Sequence, residues 1–92
     1  IADGLLPVRP GTLTFLHARE LVDEVVTVED DAVADAARRL ATSSKVVVEF
    51  SGAATVAALL SGAWDAAGRR TAAVLSGGNI DPDRLARLLS EA

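Results

Sequence analysis

Three short apolar runs, each separated from the next by a helical pattern, constrain the fold of this chain more than any other feature. They span residues 25–28, 45–49 and 71–75, and the first two consist mainly of valine. Valine is favoured in strands, and strands that alternate with helices are joined by crossovers that make them parallel. The sequence therefore predicts an α/β fold: part of a parallel (βα) sheet layered with helices.

Four helical patterns accompany these runs. Apolar residues recur at helical spacing from Phe15 to Val25, and a second pattern follows the acidic residues 29–31, which suit the positive end of a helix. Residues 52–60 are nearly all small or apolar, which predicts a helix buried around most of its circumference. Asp81 and Pro82 have the residue types of an N-cap and a first helical position. The predicted inward-facing residues are Phe15, Ala18, Leu21, Val22 and Val25, then Val33, Ala36, Ala37 and Leu40, and finally Leu85, Leu88 and Leu89.

Length and charge exclude several classes of function. A chain of 92 residues is one domain at most, so we expect residues 1–92 to form a single unit without a second domain. A net charge of −4 argues against a nucleic-acid groove, because the paired arginines at 38–39 and 69–70 are isolated. The sequence contains no run of about 20 apolar residues, so we expect a soluble chain without a membrane span. The lack of cysteine excludes a thiolate nucleophile and a cysteine-based metal site.

The stretch "AAVLSGGNIDPDRL", residues 73–86, carries the clearest chemical signal. It runs from the third predicted strand through Ser-Gly-Gly-Asn into the last predicted helix. Ligands of parallel sheets bind at the carboxyl ends of strands, where glycines let backbone approach the ligand. The alternative is a plain turn in which the glycines only supply positive φ. The dinucleotide and P-loop glycine patterns are both missing, so neither type of site is supported.

Four segments in order carry a resemblance to a known family. They are "IADGL" at 1–5, "DEVVTVEDDAV" at 23–33, "KVVVEFSGAATVAALLSG" at 45–62 and "VLSGGNIDP" at 74–82. Together they resemble the C-terminal part of the threonine and serine dehydratases, pyridoxal phosphate enzymes of the tryptophan synthase β-type fold, a group that includes serine racemase. The resemblance implies a C-terminal segment of the large cofactor-binding domain of a fold-type II enzyme. The chain begins at Ile1 and lacks methionine, which also leads us to expect a piece of a longer polypeptide.

The resemblance also implies which residues meet the cofactor. Ser76 matches the serine whose hydroxyl hydrogen-bonds the pyridine nitrogen, and Asp3 and Gly4 match an Ala-Asp-Gly element close to the ring. Glu49 matches the glutamate of a Glu-Pro-Ser-Gly-Ala motif near the ring face; without the resemblance it would be read as a cap for the next helix. Phe50 departs from that motif, which has proline there. Proline would hold Glu49 extended, so the departure bears directly on the placement of Glu49.

Other polar residues are assigned no catalytic role. Lys45, the only lysine, lacks the family's Ser-x-Lys-x-Arg context and is not expected to bond to the cofactor. His17 is expected to be solvated, and Asn79, which matches a nucleotide-effector position in some racemases, is expected to serve helix entry. The glycine-rich phosphate loop and the family's acidic metal site are also missing, so we expect no metal site and no activity from this chain alone.

The function implied is elimination of water from a small β-hydroxy amino acid, giving a 2-oxo acid and ammonia. Serine racemase, another β-eliminating enzyme and a non-catalytic α/β binding module are the alternatives. We expect the chain to work with the remainder of its own polypeptide or a complementary chain, in a cytoplasmic homo-oligomeric enzyme that binds neither nucleic acid nor membrane.

Overall fold

The computed structural model of the 92-residue chain describes residues 1–91 and is built from helices. The helices are α1 (Thr12–Leu21), α2 (Asp30–Thr42), α3 (Ala54–Ser61) and α4 (Pro82–Ser90), with short 3₁₀ helices at Asp3–Leu5 and Ser51–Ala53. All four predicted helices are therefore present, with ends that shift by a few residues.

Helix α2 forms the centre of the core. Its buried residues are the four that the periodicity predicts, Val33, Ala36, Ala37 and Leu40. Alanines on this face let neighbouring helices come close, since they add little bulk. The helix begins with Asp30 and Asp31 in its first turn, where carboxylates interact favourably with the helix dipole. Burial of the stripe confirms the sequence prediction for this element.

Helices α3 and α4 pack against α2. The 3₁₀ turn before α3 and the helix itself contribute Ala53 and Ala57 to the core, and α4 contributes Leu88. Thr55 and Leu60 are exposed, so the prediction that residues 52–60 are buried on most sides holds for only one face. Asp81 caps α4 as predicted: its Oδ1 accepts a hydrogen bond of 2.8 Å from the backbone N–H of Asp83.

Helix α1 buries none of its residues. Its side chains Leu13 and Leu21 are 69% and 75% exposed, and Phe15 is half exposed. The amphipathic pattern thus predicts a helix here, but the helix ends at Leu21, before Val22 and Val25 of the predicted stripe, and residues 1–91 provide nothing that covers the stripe.

The predicted parallel sheet is wrong: residues 1–91 contain no β-strand. The segments 25–28, 45–49 and 71–75 run as irregular chain between the helices. A strand needs a neighbour that pairs with its N–H and C=O groups along a ladder. Here the Val46 N–H bonds instead to the Leu40 carbonyl at the end of α2, and one backbone bond, from Glu49 N–H to the Gly77 carbonyl, links the second segment to the loop after the third.

The helices are too short to cross a bilayer. The longest, α2, has 13 residues, whereas a spanning helix needs about 20. Within the part of the chain that the structure describes, no helix has the length and apolar character of a membrane span.

Candidate functional site

Three loops that are distant in sequence meet at one place. The first contact joins the Asp3–Leu5 turn to the turn before α3: the backbone N–H of Gly4 donates a hydrogen bond of 2.8 Å to Ser51 Oγ. A Cβ on Gly4 would lie 2.7 Å from that oxygen and 4.0 Å from Glu49 Oε2. A side chain at position 4 would therefore force the Ser51 side chain to move, and the contact places Gly4 beside Glu49.

The second contact joins the turn before α3 to the Ser-Gly-Gly loop. A Cβ on Gly52 would lie 1.9 Å from the Ser76 carbonyl oxygen, which is too short for two non-bonded atoms. The obstructing Ser76 atoms are backbone atoms and cannot rotate away as a side chain can, so a side chain at position 52 would have to displace the loop that carries Ser76. The contact determines how closely that loop approaches the start of α3.

The third contact joins Glu49 to Gly77. The Glu49 N–H donates to the Gly77 carbonyl at 3.1 Å. Gly77 has a φ of +82°, and a Cβ there would lie 2.0 Å from Glu49 Oε1. The carboxylate of Glu49 therefore lies between Gly4 and Gly77, directly beside the residue that follows Ser76.

A cavity of about 290 Å³ opens at this junction. Five polar residues line it: Asp3, Glu49, Ser51, Asn79 and Arg84. Gly4 also lines the cavity, whereas Ser76 does not; its side chain is exposed. The structure thus brings Gly4 and Glu49 into one cavity wall and leaves Ser76 outside that wall as an exposed residue.

Phe50 explains how Glu49 keeps its place without proline. Its side chain is buried in the core, only 8% exposed. Its backbone is helical, with φ −58° and ψ −43°, and acts as the N-cap of the Ser51–Ala53 turn. Glu49 is therefore not the N-cap residue, and packing of the Phe50 ring anchors the turn instead of a fixed proline φ.

The remaining polar residues of interest lie apart from the cavity or on its rim. Lys45 Nζ donates to the Thr42 carbonyl at the end of α2, and Lys45 itself has a positive φ of 59°. His17 Nδ1 donates to the Leu13 carbonyl within α1 at 2.9 Å and is exposed. Asn79 lines the cavity, while helix entry belongs to Asp81. Among residues 1–91 no group of three or more metal-ligating side chains comes together.

Arg84 was not singled out by sequence reasoning. It lies in the first turn of α4, and its Nη1 is 3.4 Å from Asp3 Oδ2. Its guanidinium carbon is 5.0 Å from the centroid of the Phe50 ring. The partners are 81 and 34 residues away in sequence, so no local pattern reveals them. The only available signal was an arginine early in a helix, where the helix dipole does not favour a cation.

The sequence is similar to known enzymes along its whole length. A family model described as pyridoxal-phosphate dependent enzyme matches residues 1–77. An L-threonine ammonia-lyase of Thermotoga maritima is 42% identical over 91 residues, which are 99% of this chain and 22% of that protein. A catabolic L-threonine dehydratase of Escherichia coli is 43% identical over 90 residues, 96% of this chain and 27% of that protein.

A racemase is also among the relatives. The serine racemase of Schizosaccharomyces pombe is 35% identical over 91 residues, 99% of this chain and 28% of that protein. The chain thus spans about a quarter of the length of the curated relatives it matches. Because the family model matches well over half of the chain, the chain belongs to the family of pyridoxal-phosphate dependent enzymes.

Proposed function

We propose that this chain is part of a pyridoxal phosphate-dependent threonine/serine ammonia-lyase. That enzyme would convert a β-hydroxy amino acid into a 2-oxo acid and ammonia, with residues 1–92 as a segment of its large cofactor-binding domain. The observation that carries the proposal is similarity over nearly the whole chain to proteins named L-threonine ammonia-lyase or dehydratase, at 42–43% identity.

The loop junction fits a flat ligand held against backbone. Gly4 and Gly77 bring two loops to either side of the Glu49 carboxylate without side chains of their own. Glycines are the residues that allow backbone to lie close to a ligand. Ser76 directly precedes Gly77 in one of these loops, so it lies beside the same junction although it does not line the cavity. These features support the assignment of Ser76, Gly4 and Glu49 as residues that would hold the cofactor.

Ser76 would hold the ring through a neutral hydroxyl. When bound, the cofactor supplies a ring that withdraws electrons from the amino-acid substrate. A carboxylate in place of Ser76 would favour a protonated ring nitrogen, whereas a hydroxyl does not stabilise that positive charge to the same degree. Serine therefore suits loss of a β-hydroxyl group better than reactions that store more charge in the ring.

Gly4 and Glu49 would shape the wall next to the ring. Glu49 is half-buried, and its backbone N–H donates a hydrogen bond to the Gly77 carbonyl. This bond fixes the backbone position from which the Glu49 side chain extends. The Gly4 N–H is held by Ser51, which keeps the Asp3–Leu5 turn closed against the same wall. The role of both residues would be to orient the ligand and exclude water from one face.

Replacement of Ser76 in the full-length protein tests the assignment. We expect Ser76→Ala to weaken cofactor binding and lower turnover by about tenfold or more, since one hydrogen bond to a partly charged group is lost. Ser44→Ala is the matched control, because Ser44 is exposed in the loop after α2. Cofactor absorbance and 2-oxo acid release are the measurements. Unchanged cofactor affinity and full activity in Ser76→Ala would remove Ser76 from the site.

Product analysis distinguishes the candidate reactions. Threonine should give 2-oxobutyrate and serine should give pyruvate, and their ratio would define the preferred substrate. A serine racemase is the second candidate because a protein of that name matches 99% of the chain, and it would instead yield D-serine. A non-catalytic module would give none of these products. The cytoplasmic location, the homo-oligomeric state and the complementary polypeptide remain predictions.

A further inference from the structure

Arg84 links the cavity to the helix behind it. Its Nη1 is 3.4 Å from Asp3 Oδ2, and its Nη2 is 3.5 Å from the backbone carbonyl of Ile1. The guanidinium also stacks over the Phe50 ring, with 5.0 Å between its carbon and the ring centroid. Neither polar contact is short, so no single strong bond defines Arg84. Arg84 is distinctive because it lies on α4 and its one side chain contacts two separate loops.

Both of those loops carry residues assigned to the cofactor. Asp3 directly precedes Gly4, and Phe50 directly follows Glu49. The Arg84 side chain is only partly exposed, at 34%, and lines the same cavity as Gly4 and Glu49. A change in the position of Arg84 therefore acts on the Gly4 turn through Asp3 and on Glu49 through Phe50.

A purely structural role is the alternative. Exposed ion pairs contribute little to folding stability, and the Asp3 side chain is 73% exposed. The Phe50 ring also belongs to the hydrophobic core, so the arginine is one of several neighbours that pack around it. We therefore expect the ion pair to add little to folding stability, and the distinctive feature of the three contacts is that they join the Asp3 turn to Phe50 through one side chain.

We propose that Arg84 is a positioning residue that holds the Gly4 turn and Glu49 at the separation the cofactor requires. The inference rests on the proposed function, because it assumes that Gly4 and Glu49 face the cofactor. It goes beyond that function by assigning a role to a helix that supplies none of the residues matched to the cofactor. Guanidinium is suited to this role because its flat face stacks on an aromatic ring while its edge binds a carboxylate.

The test compares Arg84→Ala, Arg84→Lys and Arg87→Ala in the full-length protein. Arg87 is the matched control because it lies one turn further along α4 and does not line this cavity. For Arg84→Ala we expect cofactor affinity and kcat/KM to fall about tenfold, as small misplacements near a reacting centre do. The melting temperature of Arg84→Ala should stay close to that of the unchanged protein. Arg87→Ala should match the unchanged protein in melting temperature, cofactor affinity and kcat/KM. Arg84→Lys keeps the charge but loses the flat stacking face, so its cofactor affinity should lie between that of Arg84→Ala and that of the unchanged protein.

Circular dichroism of the bound cofactor gives a readout that a merely structural role would not move. We expect Arg84→Ala to alter this signal at saturating cofactor, because the ring is held in a changed orientation. Should Arg84→Ala fold poorly, Arg84→Lys carries the same comparison. Affinity and dichroism in both variants equal to those of Arg87→Ala would overturn the inference while leaving the proposed function intact. Failure of the unchanged protein to bind pyridoxal phosphate would instead overturn the proposed function.

Discussion

At the residue scale, glycine contacts determine how closely the loops around the cavity approach one another. The contact between Gly52 and the Ser76 carbonyl predicts that Gly52→Ala destabilises the protein, because the added Cβ would be 1.9 Å from a backbone atom. Overpacking costs about 1–3 kcal/mol, and a backbone obstacle places this variant near the upper end. Denaturant unfolding of the full-length protein measures the loss.

Gly78→Ala is the matched control for that prediction. A Cβ on Gly78 would lie 3.6 Å from the Val47 carbonyl, an ordinary contact distance, so its loss of stability should stay well below that of Gly52→Ala. Equal losses in the two variants would show that Ser76 does not approach Gly52 this closely.

Gly77→Ala separates backbone strain from displacement of Glu49. Gly77 and Gly62 have nearly the same φ, +82° and +79°, so alanine at either position should cost about 1–2 kcal/mol in a left-handed conformation. Only at Gly77 would the new Cβ push against the Glu49 carboxylate; nothing lies within 4 Å at Gly62. We expect both variants to lose similar stability, but only Gly77→Ala to bind pyridoxal phosphate more weakly. Equal cofactor affinity in the two would argue that Glu49 has no part in binding.

The sequence could point to the candidate site only where residues stand in recognisable motifs, and the cofactor roles of those residues stay predictions. Gly4, Glu49 and Ser76 each stand in a short motif, and the structure does bring the three motifs together. Arg84 and its partners Asp3 and Phe50 are joined only by the fold, since no spacing rule connects positions 81 and 34 residues apart. The exposure of Ser76 beside the cavity, not within it, likewise depends on how the loops stack.

At the element scale, helices were predictable because their signals are local. The α2 stripe and the α4 cap both depend on residues within a few positions of one another, and both are found as predicted. A strand depends on a partner that its own sequence does not contain. The valine runs at 25–28 and 45–49 have strand composition, yet the backbone of residues 1–91 offers them no ladder.

The cap of α4 provides a test at this scale. Asp81→Ala should destabilise the protein by about 1 kcal/mol, because the Asp83 N–H loses its acceptor at the helix start. Asp83→Ala removes the same charge from the first turn but leaves the cap, so its loss should be only about 0.3–0.5 kcal/mol. Thermal unfolding of the full-length protein compares the two. A larger loss in Asp83→Ala would show that charge, and not the cap, stabilises this end of α4.

At the scale of the whole molecule, the chain is less compact than its length allows. Its radius of gyration is 14.2 Å, whereas a compact domain of 92 residues has about 12 Å. The molecule is 19 Å thick in its shortest dimension, roughly the diameter of two helices. Helix α1 and several valines of the irregular segments are largely exposed, while the buried core is a small cluster of nine residues around α2. Apolar surface of this extent is typical of a face that another part of a protein covers.

The exposed face of α1 leads to a prediction that compares the 92-residue chain with the full-length protein. Leu13→Gln should leave the helical dichroism of the 92-residue chain unchanged, because this side chain is 69% exposed there. Val33→Gln is the positive control: it buries an amide in the core at 2% exposure and should cost about 1–3 kcal/mol, enough to reduce the helical signal. In a full-length protein, where further chain can cover this face, we expect Leu13→Gln to become destabilising as well; the relatives are about four times longer than these 92 residues. A neutral Leu13→Gln in both proteins would mean that the α1 stripe stays open to solvent, and that its amphipathic pattern serves a purpose other than packing.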